Sequence, residues 1–205
     1  FYNLLVTSGV KKGNIALLTD YNAGKQNIIN KLDMIFSKAK TDDEVIFFFS
    51  GHGSKGSFIP YDYNGYSSTV LGYSVIKASF KKCKAKKKLC IADACFSGSI
   101  KKAPATSKEV AGEDKSLDDK SGVVVMMSSR DYQTSREMPS LKNGAFTHYL
   151  VKGLKGPADK NKDKTITVSE MYYYTKQHVK LETQNKQIPI IFGNFDEDMP
   201  ILYLD

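Results

Sequence analysis

The chain has 205 residues, of which 41% are hydrophobic and 25% charged, a balance that suits one soluble α/β domain with a sizeable core. No apolar run approaches the roughly 18 residues of a helical membrane span. The net charge of +8 is almost all lysine, with only Arg130 and Arg136 available for bidentate contacts to bases or phosphates, so a solvated lysine-rich surface is expected rather than a nucleic-acid site. Cys83, Cys90 and Cys95 make an odd count with no C-x-x-C pair. Only His52, His148 and His178 stand beside them, which argues against a disulfide framework or a zinc cluster and leaves one cysteine to matter for its reactivity.

The chain opens FYNLLVTSGVKKG, without the basic start, apolar run and small-residue cleavage site of a signal peptide. It does not begin with Met, so an upstream segment is expected, and the compartment (cytoplasmic or secreted) stays open. Ile15 to Leu18 (IALL) reads as a short strand. Lys25 to Ala39 places Ile28, Ile29, Leu32, Ile35, Phe36 and Ala39 at helical spacing. Val45 to Phe49 (VIFFF) is a continuous apolar run, as in a strand buried on both faces. A helix is expected over Tyr73 to Lys82, then buried strands at Leu89 to Ala92 (LCIA) and Val123 to Met127 (VVVMM). Gly144 to Leu154 and Ser169 to Glu182 read as two further helices. The alternation argues for helices on both faces of a mostly parallel sheet, a three-layer α/β/α sandwich. The polar stretch from Lys101 to Gly122 lacks periodicity and reads as a flexible loop. There is no internal repeat and no sign of a second domain.

Two apolar strands end alike: VIFFF runs into Ser50-Gly51-His52-Gly53, and LCIA into Asp93-Ala94-Cys95-Phe96-Ser97-Gly98. Ligand sites in open parallel sheets lie beyond the carboxyl ends of the strands, so adjacent strands would bring His52 and Cys95 together. A cysteine thiolate is a strong nucleophile, and a histidine is suited to take its proton and return it to a leaving amine. The glycines let backbone approach a substrate and aim N–H groups at a developing oxyanion. Taken singly, a cysteine after a buried strand is usually a small core residue, and a loop histidine has no role; the pairing of the two strand ends carries the argument.

SGHG after one hydrophobic strand and DACFSG after the next resemble the caspase-like cysteine peptidases (clan CD, peptidase C14), and are closer to the metacaspases and their bacterial relatives than to animal caspases. NIALLTDYNAGKQNII, DDEVIFFFSGHGS, LCIADACFSG, VVVMMSSRDYQTS and GAFTHYLVKGLKG follow the family's order over most of the chain. The resemblance implies that His52 is the general base and acid, Cys95 the nucleophile, and the N–H groups of Gly53 and Cys95 the oxyanion hole. It places Asp93 and Ser50 in the first specificity pocket, where a buried carboxylate would pair with Lys or Arg, so cleavage after basic residues is expected. The alternative for Asp93 is a cap on neighbouring backbone N–H groups. SSRDYQTS matches the segment that pairs with substrate as an added strand, making Ser129 and Asp131 candidate contacts.

The same resemblance divides the domain into a large-subunit-like part (1–100), an intersubunit-type loop (101–122) and a small-subunit-like part (123–205). The loop carries Lys101, Lys102, Lys108, Lys115 and Lys120, so self-cleavage there is expected. The family's first sheet strand has no counterpart after Phe1 and is expected upstream, on a removed or separately held segment. The chemistry requires no cofactor. The acidic calcium cluster of many metacaspases has no evident counterpart, since the stretch after SGHG offers only Asp62. A different calcium candidate runs from Asp159 to Glu170, with Asp159, Asn161, Asp163, Thr165, Thr167 and Glu170 at EF-hand spacing. Lys164 stands where the sharp turn wants glycine, and a polar turn capping the next helix is the preferred reading. The aromatic run at Tyr172 to Tyr174 is expected to pack a helix, and the lysines from Lys81 to Lys88 to form a solvated helix end. The alternatives to a peptidase are a non-enzymatic scaffold of the same fold and a lysine-rich nucleic-acid binder.

Overall fold

A computed structural model describes residues 1–54, 56–96, 122–128, 144–193 and 196–204. The expected loop from Lys101 to Lys120, with Ser121, lies outside these residues, as do Ser129 and Asp131.

A six-stranded mixed sheet runs in the order β3-β2-β1-β4-β5-β7, formed by Leu71–Gly72, Ser57–Ile59, Glu44–Ser54, Lys87–Phe96, Val123–Met127 and Ile190–Phe192. Its central neighbours, β1 with β4 and β4 with β5, are parallel. The flanking pairs β1–β2, β2–β3 and β5–β7 are antiparallel. A separate two-stranded sheet pairs β6 (Thr165–Thr167) with β8 (Pro200–Tyr203).

The apolar runs are explained by burial on both faces. Along β4, Cys90, Ala92 and Ala94 face a core shared with helices α2 (Lys25–Phe36) and α3 (Tyr73–Lys82). Leu89 and Ile91 face the opposite core, built with α4 (Ala145–Leu154) and α5 (Val168–Glu182). β5 divides in the same way, with Val123, Val125 and Met127 on one side and Val124 and Met126 on the other. Side chains alternate along a strand, so both faces need covering and no polar position interrupts either run.

The helices form where the apolar spacing places them. α2 buries Ile28, Leu32 and Phe36 and stops at Phe36, three residues short of the expected end. Its first turn is capped from outside: the Asp62 carboxylate accepts the Lys25 N–H at 2.8 Å. Met171 and Tyr172 of α5 are buried while Tyr173 is exposed, as a helix packing by one face requires. At the end of α3, Cys83 and Ala85 turn inward while Lys81, Lys82, Lys84 and Lys86 stay in solvent. No described helix is long and apolar enough to cross a membrane.

One expectation is corrected. Ile15–Leu18 is not a strand; it follows a 3-10 turn at Lys12–Asn14, and Leu17 is 59% exposed. A strand needs a laddered neighbour. On the side of β1 away from β4, β2 pairs only with His52 to Ser54, and no described strand lies along Glu44 to Gly51. At the amino terminus Tyr2–Thr7 forms a short helix, α1, that the sequence did not announce. Leu4 anchors it in the core, and the Phe1 ring stacks on Phe48 with centroids 4.9 Å apart.

Candidate active site

β1 and β4 lie side by side in unbroken parallel register from Glu44–Lys87 to Gly53–Phe96. Within that register His52 is the partner of Cys95, and Ser50 is the partner of Asp93. The strands continue through SGHGS and DACF, so both residues sit within the last strand turns rather than in loops beyond them. β1 can run this far because β2 folds back on it: His52 pairs with Ile59 and Gly53 with Phe58. The hydroxyls of Ser54 and Ser57 lie 2.7 Å apart and close that hairpin. Ser50, Gly51 and His52 are exposed.

The other two cysteines are free thiols and buried, Cys83 after α3 and Cys90 in the middle of β4. Complete burial pushes the Cys90 thiol up to about 12, which keeps it protonated and unreactive at neutral pH. His148 and His178 belong to α4 and α5 and pack on aromatic rings. His148 sits edge-on to Tyr149, and His178 stacks on Tyr149 with centroids 5.1 Å apart. The third cysteine, Cys95, is the register partner of His52, the one histidine on β1.

Asp93 is buried at 7% exposure, and its Oδ2 accepts two hydrogen bonds from Thr147, one from the hydroxyl at 2.6 Å and one from the backbone N–H at 3.2 Å. Thr147 lies in the first turn of α4, where backbone N–H groups lack partners within the helix and the dipole favours an anion. The capping alternative weighed for Asp93 is thus realised at this oxygen. Gly144 makes the approach possible, since a Cβ there would come within 2.6 Å of Asp93 Oδ2. Thr147 was not singled out from the sequence; the signal was available in GAFT, a glycine three residues before a hydroxyl at the head of an apolar helix.

The Asp159–Glu170 loop lies apart from these strand ends, between α4 and α5. Its oxygens are turned to its own backbone: Asp159 accepts the N–H groups of Asp163 and Lys164, and Asp163 accepts that of Thr165. Lys162 and Lys164 take positive φ of 62° and 66°, so the turn closes without glycine. Thr167 and Glu170 make a reciprocal capping box that starts α5, the polar-turn role expected of this stretch. Asp62, the one acid between SGHG and LCIA, caps α2 instead.

A family model for the caspase domain matches residues 10–199, nearly the whole chain. The chain belongs to the caspase-domain family. The crystal structure of caspase-1 from Spodoptera frugiperda matches this caspase domain over 100% of its length and 78% of its own, with a TM-score of 0.65 at 16% identity. A crystal structure of a protein from Geobacter sulfurreducens matches over 93% of this chain and 83% of that one, with a TM-score of 0.58 at 18% identity. At such identities the likeness is one of fold, and both structures agree with the α/β sandwich expected from the sequence. A search of curated protein sequences finds no match.

Proposed function

We propose that this caspase domain is a cysteine endopeptidase that cleaves after Lys or Arg. The observation that carries the reading is the register pairing of His52 with Cys95 at the carboxyl end of two parallel strands, in a chain of the caspase-domain family. In the proposed reaction His52 takes the Cys95 thiol proton as sulfur attacks the scissile carbonyl. The carbonyl oxygen becomes an oxyanion facing the N–H groups of Gly53 and Cys95. Collapse breaks the C–N bond, the His52 proton goes to the leaving amine, and a thioester remains. Water, deprotonated by His52, hydrolyses the thioester and restores the thiol. No cofactor enters this sequence.

The preference for basic residues rests on Asp93, a buried carboxylate in register with Ser50 at the same strand ends. Substrates are therefore proteins with accessible Lys or Arg, and the lysines of the 101–122 loop make the chain its own candidate substrate.

Hydrolysis of fluorogenic peptides ending in Arg, Lys or Asp, by wild type and Cys95→Ala, with calcium and with chelator, tests the reading. Cleavage after Arg or Lys that disappears in the variant is the expected result. Cleavage after Asp would overturn the role given to Asp93, and cleavage that persists in Cys95→Ala would overturn the nucleophile.

A further inference from the structure

Ser50 and Asp93 share one face of the sheet with the head of α4. Ile46 and Phe48 of β1 and Leu89 and Ile91 of β4 pack on the α4 and α5 side. Alternation along each strand carries Ser50 and Asp93 to that same side, where Asp93 meets Thr147. The two are register partners, Ser50 exposed and Asp93 buried. Asp93 precedes Cys95 by two positions on β4, about 7 Å along the strand, a span within reach of a long basic side chain held at the scissile bond.

How the carboxylate is held decides which cation it can take. Each carboxylate oxygen offers two lone-pair sites, and an arginine fork binds only when each oxygen receives one N–H. Oδ2 of Asp93 already accepts the Thr147 hydroxyl at 2.6 Å and the Thr147 backbone N–H at 3.2 Å. The backbone of Gly144 also closes over this oxygen, since a Cβ there would stand 2.6 Å from it. Both sites on Oδ2 are thus committed to the head of α4, and a substrate cation must bond through Oδ1. Under that restriction arginine loses half of its fork, and the remaining donors of a rigid, planar group must find other acceptors in a confined space. Lysine is a compact charge with three donors that turn about its last bond. One donor can meet Oδ1 while another meets the hydroxyl of Ser50, the register partner of Asp93.

We infer that Thr147 is a positioning residue for specificity: by occupying Asp93 Oδ2 it makes the pocket prefer lysine over arginine. The inference rests on the peptidase reading above and narrows its substrate class. Thr147 acts through Asp93 and not on the reacting atoms, so its effect falls on the choice between the two basic side chains.

Two fluorogenic peptides that differ only in Lys or Arg at the cleaved bond are compared on wild type, Thr147→Val and Thr147→Ser. The readout is the ratio of the two kcat/KM values within each protein, from which the amount of folded enzyme cancels, so a merely structural role would not move it. Wild type is expected to favour the Lys peptide about 5- to 20-fold. Thr147→Val keeps the shape of the side chain and releases one site on Oδ2, so the ratio should fall to about one or below. Thr147→Ser keeps the hydroxyl and should hold the wild-type ratio. A wild type that prefers Arg overturns the inference, and this result decides even if Thr147→Val does not fold. A Thr147→Val ratio equal to that of wild type overturns it as well. Arg-preferring cleavage that disappears in Cys95→Ala would leave the peptidase reading standing. Hydrolysis of neither peptide, or hydrolysis unchanged by Cys95→Ala, would sink that reading and the inference with it.

Discussion

Cys90 and Cys95 lie five residues apart on one strand and differ in almost everything but their chemistry. Cys90 is in the middle of β4, with β1 and β5 on either side, fully buried, and its thiol is pushed up to about 12. Cys95 lies beyond the last β4–β5 pair, Ala92 with Met127, and opposite the exposed His52. In the proposed reading the strand middle serves stability and the strand end serves chemistry. The same side chain serves either purpose according to whether water and a base can reach it.

The largest effects should separate these two regions cleanly. Cys95→Ala is expected to lower peptide hydrolysis by at least about 10³-fold with little change in melting temperature. Cys90→Ser should do the reverse, because it buries a hydroxyl in an apolar core at a cost of about 1–3 kcal/mol. Thermal melts and kcat/KM measured on both variants check the contrast, and a strand-middle variant that abolished activity while leaving stability intact would break it.

Asp93 stands between the two regions, and its substitution should touch both. Asp93→Asn is expected to reduce kcat/KM on Arg peptides about 10- to 100-fold. Thr147→Val, which removes the 2.6 Å hydroxyl donor, should cost about 1–3 kcal/mol of stability while keeping the preference for basic residues. Competition between Arg and neutral peptides measures the first effect, and urea unfolding the second.

At the opposite end of β1 the sheet carries a cost unrelated to the His52–Cys95 end. Glu44 has its Oε1 buried with no hydrogen-bond partner among the described residues. Desolvation pushes its carboxyl up to about 7, against a smaller downward pull from Lys87, its register partner. The folded state therefore holds this proton more tightly than the unfolded chain. The associated stability is present below the ordinary value of 4.5 and is lost as pH rises to about 7. Glu44→Gln should exceed wild type in stability by about 1–3 kcal/mol at pH 8, and the gap should close near pH 4. A gap that did not change with pH would contradict the assignment. A smaller gain is expected from Thr175→Val, since Thr175 Oγ1 is buried without a partner among the described residues and its removal should add about 1 kcal/mol.

Most of the fold was legible because it is written in local patterns. The runs VIFFF, LCIA and VVVMM marked β1, β4 and β5, and helical spacing marked α2 to α5 to within a few residues. Ile15–Leu18 failed for a physical reason: an apolar tetrapeptide states that a strand is possible there, but the neighbour that would ladder with it is a property of the assembled sheet. The extension of β1 through SGHGS was hidden likewise, because it depends on the return of β2, three residues too few to show a pattern of their own. At the site, residue types at the two strand ends pointed to His52 and Cys95, and the family resemblance pointed to Ser50 and Asp93. Thr147 had a local signal in GAFT, but its partner did not: the hydrogen bond reaches Asp93, 54 residues distant in the chain, and no local pattern records such a bond.

The most direct test of the central claim is covalent labelling with a peptidyl ketone inhibitor bearing Arg at its reactive end, followed by peptide mapping in a mass spectrometer. Stoichiometric label on Cys95, absent after Cys95→Ala and strongly slowed by His52→Ala, is the predicted result. Label on Cys83 or Cys90, or labelling of Cys95 that is indifferent to His52, would contradict the assignment of nucleophile and base.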